Sequence, residues 1–351
     1  MDFLLNGQAH GDVAGTLLKN NFDVGVLRPF IGVDGHSYVT INQNGAPKVV
    51  RLAHNAATLR KDEWILLDQA IVRAARPRLK AVADIRGAGL QFVIPNGMSK
   101  TVLDTETESD INEATVSMDG LRESTGDRPV FNLTHLPLPI IHKDFSFSAR
   151  QIAVSRNGGS PLDTSTAEKA GRRVAEMAEQ MLLGVGDISS YAFGGGTIQG
   201  FTNFSSRNTK SLTAPTASGW TAATLVTQVL DMRKKAQDDY HFGPYMLYNS
   251  KDWDVYFDAD YSTAKGDNTL RDRLLKIGGI SGIQTLDYLT GWAIILVQMS
   301  PDVVRIVVGM EITTVQWESQ GGMKQNFKVM AIMVPQLRAD YNGNCGIVHG
   351  S

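Results

Sequence analysis

The chain has 351 residues, of which 42% are hydrophobic and 20% are charged, which is enough apolar material for a sizeable core and for one to three domains. Its 34 basic side chains nearly balance its 36 acidic ones, and a net charge of −2 argues against a dedicated nucleic-acid-binding protein. The single cysteine, Cys345, excludes an intrachain disulfide and fits a reducing compartment. Because the sequence has neither a signal-peptide pattern nor a window of 18 apolar residues, we expect a soluble intracellular protein without a membrane span.

The sequence has no motif that is typical of catalysis or of metal binding. Its seven histidines are scattered, and no two of them have the spacing that places two imidazoles on one helix face. The segment Gly194–Gly200 superficially resembles a phosphate-binding loop, but it lacks the Gly-Lys-Ser/Thr ending, and we interpret it as a turn. The sequence therefore predicts no catalytic, cofactor-binding or metal-binding residues.

Glycine and proline interrupt residues 1–58 at short intervals. Only a short stretch near Tyr38–Ile41 alternates between apolar and polar residues as a strand would. No long helical period occurs in this region. We interpret residues 1–58 as an extended arm with local strands and not as an independent domain.

Residues 60–86 have the period of an amphipathic helix. Their apolar positions recur every three or four residues and form one stripe, which comprises Trp64, Leu67, Ile71, Ala75, Leu79 and Val82. Pro77 should kink this helix or split it in two. Seven basic residues against four acidic ones leave two interpretations open, a face that contacts a phosphate backbone and an ordinary solvated face, of which the second is favoured.

Residues 88–140 predict a two-stranded ribbon. Weak alternation in Ala114–Met118 and in Val130–Leu133 predicts two strands around a turn near residues 120–126. Acidic residues at every second position from Asp104 to Asp110 predict a solvated face. Because a two-stranded ribbon is only marginally stable in water, it must lie on another surface, and on a second copy if its own chain does not cover it.

The strongest helical pattern covers residues 165–183. Its stripe has steps of three and four residues and comprises Ala167, Ala170, Val174, Met177 and Met181. Ser165 and Glu168 predict a capping box at the start, and Gly184 predicts the end. Because the stripe is rich in small residues, including Gly171, another element should approach it closely.

The remaining sequence mixes helices and strands without regular alternation, which indicates the α+β class. Residues 186–220 are rich in Gly, Ser and Thr and predict a mobile loop. Helices are predicted at 221–239, 253–257 and 270–277, and strands at 245–248, 283–289, 293–299, 303–308, 312–317 and 327–334. The uninterrupted apolar run Ala293–Val297 predicts a strand that is buried on both faces.

The order of these elements, together with several short motifs, resembles a known family. Leu-Pro-Leu-Pro at 136–139 is followed by the phenylalanine-containing strand at 144–148, by Gly-Gly-Ser-Pro at 158–161 and by the alanine-rich helix. The motifs Gly243-Pro244-Tyr245, Gly309-Met310-Glu311 and Phe327-Lys328-Val329 come later in the chain. In this order, residues 60–340 resemble the major capsid protein of tailed bacteriophages and its relatives the encapsulins, which share the Hong Kong 97 capsid fold.

This resemblance implies an α+β fold with an N-terminal arm, an extended loop, a peripheral domain with a long spine helix, and an axial domain. The implied divisions are 1–58 for the arm, 59–87 for a peripheral-domain helix, 88–140 for the extended loop, 141–185 for the peripheral domain with its spine helix, 186–308 for the axial domain, 309–335 for peripheral-domain strands and 336–351 for a C-terminal tail.

The resemblance also implies a structural protein, neither an enzyme nor the holder of a cofactor. We expect a major capsid protein whose hexamers and pentamers self-assemble into an icosahedral shell, as part of a virion that is assembled in the host cytoplasm. The expected partners are the protein itself, scaffolding, portal and cement proteins, and packaged double-stranded DNA that is contacted non-specifically, with no membrane.

Two other functions stay open. One is an encapsulin-type nanocompartment that holds a cargo enzyme, and the other is an enzyme with an unrecognised site. The long N-terminal arm and the polar segment 186–220 depart from the encapsulin pattern and favour the viral shell.

Overall fold

The computed structural model describes residues 4–5, 8–9, 27–43, 46–52, 59–111, 113–114, 116–119, 121, 128–157, 163–188, 191–261 and 268–351. The helices are α1 (Lys61–Ala75), α2 (Lys80–Gly87), α3 (Ala149–Asn157), α4 (Ser165–Leu183), α5 (Ala222–Asp238), α6 (Lys251–Phe257) and α7 (Leu270–Leu275). The first strands are β1 (Leu4–Leu5), β2 (Gln8–Ala9), β3 (Phe30–Ile31), β4 (Ser37–Gln43), β5 (Ala46–Arg51), β6 (Gln91–Val93), β7 (Val102–Glu108), β8 (Phe131–Pro137) and β9 (Ile141–Ser148). The later strands are β10 (Ala192–Phe193), β11 (Gly196–Thr197), β12 (Asn208–Lys210), β13 (Tyr245–Ser250), β14 (Ile280–Leu286), β15 (Ile294–Gln298), β16 (Val304–Ser319), β17 (Lys324–Leu337) and β18 (Ile347–Gly350). This mixture confirms the predicted α+β class.

Two sheets organise the fold. One has four strands in the order β6-β16-β17-β9, and the other has five in the order β12-β18-β15-β13-β14. In the four-stranded sheet, β16 and β17 form a long antiparallel hairpin. The strands predicted separately at 303–308 and 312–317 are parts of β16, because Gly309 lies at a register shift and does not end the strand. A Cβ atom on Gly309 would lie 2.9 Å from Cγ2 of Ile332, so glycine allows the close packing of the hairpin here.

Helices α1 and α4 build the core beside the four-stranded sheet. Helix α4 lies against β17 and β9, and α1 packs on α4. In the predicted stripe of residues 60–86, Trp64, Leu67, Ile71, Ala75 and Val82 are buried, and Leu79 is partly buried. A short 3₁₀ helix, Arg76–Arg78, separates α1 from α2, so Pro77 splits the helix as predicted.

The long helix α4 spans the predicted residues, but its first turn differs from the prediction. Thr164 is the N-cap residue, and Ser165 is already inside the helix, so the predicted capping box of Ser165 with Glu168 is wrong. The amide of Ser165 instead donates to the Asp163 carboxylate at 2.9 Å, and that carboxylate satisfies one of the free donors of the first turn. At the other end, Gly184 has φ of +73° and ends the helix as predicted.

The five-stranded sheet encloses the second core. Residues 294–297 of its central strand β15 are fully buried, which confirms the prediction of a strand covered on both faces. Apolar side chains of α5, α6 and α7 pack on this sheet around the buried Trp253. The helix predicted at 221–239 is α5, and Thr221 caps it by accepting a hydrogen bond from the amide of Thr224.

Strand β18 corrects the expectation that residues 336–351 form a C-terminal tail. It lies inside the five-stranded sheet, antiparallel to β15 and parallel to β12. Its apolar residues Ile347 and Val348 are fully buried. The boundary expected after residue 308 also falls within the continuous strand β16.

Residues 191–220 correct the expectation of a mobile loop. They contain the β10–β11 hairpin and strand β12, and the side chains of Ile198 and Phe201 are buried in the core. Glycine and hydroxyl residues produce turns here, but two apolar anchors fix the segment on the body of the protein.

The predicted ribbon exists with a different outgoing strand. Its strands are β7 and β8, whereas the described part of residues 114–118 is not a strand. The acidic residues of β7 predict a solvated face, and the β-branched threonines that alternate with them also suit a strand. Strand β6, which the expected extended loop 88–140 includes, belongs to the four-stranded sheet.

The described part of residues 1–58 contains a small antiparallel sheet of β3, β4 and β5, which confirms local strands. The indole N–H of Trp64 on α1 donates to the carbonyl of Pro29 at 2.9 Å, and the amide of Ile31 donates to the carbonyl of Leu59 at 3.0 Å. These bonds attach the small sheet to helix α1.

Candidate subunit-contact surfaces

The root of the ribbon is held by its own chain. Leu103 and Leu136 face each other across the two strands and are buried. On the same face, Thr105 accepts a hydrogen bond from the side chain of Gln336 at 3.2 Å. A polar cleft of about 570 Å³ lies beside the root, between the ribbon and residues 335–341.

A glycine hairpin supports the root from the other side. Strand β11 lies so close to β8 that a Cβ atom on Gly196 would be 1.9 Å from the carbonyl oxygen of His135. The Gly194–Gly200 segment, predicted to be a turn, is therefore a hairpin that positions the ribbon. Sequence analysis missed this role, although three consecutive glycines are a signal of close backbone approach.

The outward face of the ribbon combines carboxylates with exposed apolar side chains. Directly opposed residues of an antiparallel pair share a face, and Glu106 is opposite Leu133 while Glu108 is opposite Phe131. Phe131 is 58% exposed and Leu133 is 50% exposed. The carboxylates confirm the predicted solvated face, but the two apolar side chains lie on that same face and are left half exposed by the described residues.

Exposed apolar side chains continue beyond the strands. Ile111 follows the end of β7 and Val130 precedes the start of β8, and both are more than half exposed. Farther along, the described residues Val116, Met118 and Leu121 are almost completely exposed. We use the name ribbon tip for these exposed residues, which are Ile111, Val116, Met118, Leu121, Val130, Phe131 and Leu133. An apolar patch of this kind, rimmed by charges, is typical of a protein-binding surface.

A second apolar surface lies on helix α1. Its buried stripe faces α4, but Ile65, Leu66 and Val72 on the outer side are exposed. A groove of about 470 Å³ separates this helix from the small N-terminal sheet. The guanidinium group of Arg28 lies over the Trp64 ring at 4.9 Å from its centre and pairs with Asp68.

The carboxyl group that is most suited to acid–base chemistry lies in the interior. Glu179 on α4 accepts hydrogen bonds from the amides of Ala81 at 2.7 Å and Val82 at 3.2 Å, in the first turn of α2. Burial raises the pKa of Glu179 to about 7, although both N–H donors act in the opposite direction. Burial also raises the pKa of the neighbouring Asp84. Because Glu179 caps a helix inside the core, we interpret it as a structural group.

No catalytic, cofactor-binding or metal-binding residues were predicted from the sequence. Among the residues that the structure describes, no three His, Cys, Asp or Glu side chains are grouped so that they could hold a metal ion. In the same part of the chain, no helix is long and apolar enough to cross a membrane.

Comparison with known proteins gives this fold a context. Residues 54–350 match the model of a family described as "Family of unknown function (DUF6260)". The type 1 encapsulin shell protein EncA of Myxococcus xanthus is 27% identical over 204 residues, which cover 56% of this chain and 62% of that protein. The match therefore spans less than two thirds of the curated relative.

Solved structures extend the similarity over more of the chain. The virus-like particle from Pyrococcus furiosus has a TM-score of 0.57 at 16% identity, covering 83% of this chain and 99% of that one. The capsid of the myovirus phage XM1 has a TM-score of 0.55 at 9% identity, covering 74% of this chain and 89% of that one. The chain belongs to the DUF6260 family, and its fold is the Hong Kong 97-type fold of phage capsid and encapsulin shell proteins.

Proposed function

We propose that the protein is the major capsid protein of a tailed bacteriophage, many copies of which assemble into an icosahedral shell around double-stranded DNA. The observation that carries this proposal is the ribbon tip, an apolar surface that the described residues of its own chain leave exposed in a fold shared with shell proteins. The supporting argument is that an identical neighbour supplies the missing cover.

Assembly of such a shell requires no chemical reaction. Fully burying one large apolar side chain contributes about 1.5–3 kcal/mol, so the partial burial of a few of them gives a weak contact. In a closed shell each copy gives this contact to one neighbour and receives it from another, and closure makes the contacts multivalent. The hydrogen bond to Gln336 and the close approach of Gly196 fix the root, so the tip is presented without a large loss of conformational entropy.

We further propose how the elements divide among the parts of a capsid subunit. The peripheral domain comprises α1 to α4 with the four-stranded sheet, and α4 is its spine helix. The axial domain comprises the five-stranded sheet with α5 to α7, and strand β18 is assigned to it in place of a tail. The ribbon of β7 and β8 is the extended loop, and residues 1–58 are the N-terminal arm.

Electron microscopy of the expressed protein tests the proposal. We expect closed particles built of hexamers and pentamers, in negative stain and by cryo-electron microscopy. Nuclease-protected double-stranded DNA should be recovered from particles made during infection or with the packaging machinery. A monodisperse compact monomer, with its ribbon protected from proteases, would contradict shell formation.

The alternative is an encapsulin-type nanocompartment that holds a cargo enzyme, and the relationship to EncA favours it. The contents of purified particles separate the two functions. A stoichiometric second protein with little nucleic acid would support the nanocompartment, and protected DNA without such a protein would support the capsid. We prefer the capsid because the segment before α1 and residues 186–220 depart from the encapsulin pattern.

Scaffolding, portal and cement proteins are further proposed partners, and packaged DNA is proposed to be contacted without sequence specificity. An assembly assay with the purified protein alone shows whether a scaffolding protein is required. If shells form only when a second viral protein is co-expressed, a scaffolding partner is indicated.

A further inference from the structure

Cationic side chains converge where helices α1 and α4 cross. The helices meet at Gly171, where a Cβ atom would lie 2.7 Å from Cγ2 of Ile71. Beside this contact, three arginines approach one buried carboxylate, that of Glu176, and these are Arg78, Arg172 and Arg173. One carboxylate cannot neutralise three guanidinium groups, so positive charge is left at the surface.

The excess charge extends along both helices. Arg73 pairs with Glu168 at 3.1 Å, and Arg78 and Lys80 both approach Asp287. We use the name arginine seam for seven cations, which are Arg73, Arg76, Arg78, Lys80, Lys169, Arg172 and Arg173. Their acidic neighbours in these ion pairs are three carboxylates, those of Glu168, Glu176 and Asp287. The seam is thus strongly basic in a chain whose net charge is −2.

The charged groups of the seam are accessible to a large partner. The side chain of Arg73 is 79% exposed and that of Arg173 is 66% exposed. Along α4 the exposed positions are Ser165, Thr166, Lys169 and Arg173. Among the described residues, the exposed positions of α4 therefore have only hydroxyl and cationic groups. The rest of the seam also borders the exposed Val72 on α1 and the exposed carboxylates of Asp163 and Asp287.

These properties favour phosphates as the partner. A guanidinium group presents a planar fork of donors that matches phosphate oxygens, and arginine is more weakly hydrated than lysine. Buried Glu176 pairs with one guanidinium nitrogen of each of three arginines, so part of their side-chain entropy is already lost before binding, while the other guanidinium N–H groups remain as donors. A predominantly polar and basic surface suits the regular charge of a nucleic-acid backbone and reads no base sequence.

We propose that the arginine seam binds the phosphate backbone of double-stranded DNA without regard to sequence, so that the crossing of α1 and α4 faces the interior of the shell. The proposal rests on the proposed function, because it names the surface that a DNA-filled shell would present to its contents. Of the two interpretations of the basic residues in 60–86, the proposal favours a face that contacts a phosphate backbone, because the structure adds the cations of α4 to these residues.

Fluorescence anisotropy tests the proposal with full-length, unassembled protein and labelled DNA duplexes of two unrelated sequences. The variant Arg76→Gln/Lys169→Gln/Arg173→Gln removes three exposed cations of the seam. The matched control Lys100→Gln/Lys234→Gln/Lys251→Gln removes three exposed cations from other elements, with the same change in net charge. Circular dichroism melting checks that both variants fold.

We expect the wild type to bind both duplexes equally. The seam variant should bind at least about tenfold more weakly at moderate salt. Its slope of log affinity against log salt concentration should be smaller in magnitude by about 2.7 if each removed cation contacts one phosphate. The control variant should bind within about twofold of the wild type. Equal weakening in both variants, absence of duplex binding by the wild type, or equally tight binding of polyglutamate would overturn the proposal.

Electron microscopy of the same preparations distinguishes this inference from the proposed function. If the protein forms normal shells but fails the binding test, DNA binding by the arginine seam is contradicted and the proposed function is not. DNA binding through the seam by a protein that never forms particles would contradict shell formation and leave the binding surface in place.

Discussion

Gly171 shows how a single missing side chain determines the packing of two helices. In an exposed helix, replacing glycine by alanine stabilises by about 1 kcal/mol. At Gly171 the added Cβ would lie 2.7 Å from Cγ2 and 3.0 Å from the backbone oxygen of Ile71. We expect Gly171→Ala to lower the free energy of unfolding by about 1–2 kcal/mol despite the better helix propensity, measured by urea denaturation.

Gly87→Ala is the matched control for this prediction. Gly87 also lies in a helix, α2, and an added Cβ would meet no atom within 4 Å. This control should leave the stability unchanged or raise it slightly. If both variants shifted the urea midpoint equally, the close approach of α1 at Gly171 would be wrong.

The buried Glu179 makes stability depend on pH. Its folded pKa of about 7 lies above the ordinary value of 4.5, so the folded state holds the proton more tightly than the unfolded chain does. Its contribution to stability is therefore complete below about pH 4.5 and declines as the pH rises through 7. A difference of this size corresponds to about 3 kcal/mol between the two ends of that window.

Glu179→Gln removes the titrating group and keeps an acceptor for one of the two amides. We expect the free energy of unfolding of the wild type, minus that of the variant, to fall steadily between about pH 5 and pH 8. Thermal unfolding at several pH values measures this difference, and groups common to both proteins cancel in it. A difference that stays constant across the range would show that Glu179 does not carry the shifted pKa.

Single residues were also where sequence reasoning was least complete. Ser165 has the right chemistry for a capping box, but Asp163 and Thr164 compete for the same turn and occupy it. A residue type can therefore predict that a cap exists without locating it to one position. Gly196 was interpreted as part of a turn and Gly309 was noted only as part of a short motif, whereas both allow close packing across elements.

At the scale of elements, the proposed function makes its clearest prediction for the ribbon tip. Phe131→Ser/Leu133→Ser replaces two half-exposed apolar side chains, each of which contributes about 1–1.5 kcal/mol when the exposed half is buried. We expect the isolated subunit to keep its melting temperature, since neither side chain is in the core. The protein concentration needed for shell formation, measured by light scattering, should rise at least about tenfold.

A conservative pair of changes serves as the control for the tip. Phe131→Leu/Leu133→Met keeps both positions apolar and should assemble close to the wild-type threshold. Unchanged assembly by the serine variant would show that the ribbon tip is not a contact between copies.

The root of the ribbon gives a second prediction at this scale. A Cβ on Gly196 would be 1.9 Å from the carbonyl oxygen of His135, so Gly196→Ala must push β8 away from β11. We expect faster amide hydrogen exchange in residues 131–137 and impaired assembly, with the rest of the fold unaffected. Gly278→Ala is the control, because its nearest atom would be 3.9 Å away. Equal exchange in both variants would contradict the role of the hairpin.

The elements that sequence analysis predicted well are those whose burial pattern is strictly periodic. Helix α4 has the predicted bounds because its stripe repeats over five turns and a left-handed glycine ends it. The outgoing strand of the ribbon was placed too late because acidic residues dominate β7 and hide its alternation. Strand β18 was missed because four residues carry too little pattern, and only pairing with β12 and β15 makes them a strand.

The candidate surfaces were predicted only in outline. That a ribbon needs a partner follows from the physics of two-stranded sheets. Which side chains remain uncovered depends on register, and the register brings Phe131 and Leu133 onto the same face as the carboxylates of β7. Alternation in one strand cannot give that pairing.

For the molecule as a whole, exposure of the ribbon tip should differ between free and assembled protein. Leu121 and Phe131 in the tip are 83% and 58% exposed in the subunit. We expect chymotrypsin to cut after these residues rapidly in unassembled protein and at least about tenfold more slowly in intact shells, because proteolysis requires local access and opening. Shells that are dissociated before digestion should regain the rapid cleavage. Equal rates in all samples would mean that assembly leaves the tip uncovered.

The position of β18 between β12 and β15 also has a consequence for the timing of folding during translation. Strand β12 is synthesised well before Ile347–Gly350, its one neighbour among the described strands, and at ribosomal speeds the delay is on the order of ten seconds. The half of the subunit that contains this sheet therefore cannot mature before residues 347–350 have left the ribosome. Newly made copies would become competent to associate only once nearly all of this sequence has left the ribosome, which protects a polysome crowded with identical chains from premature association.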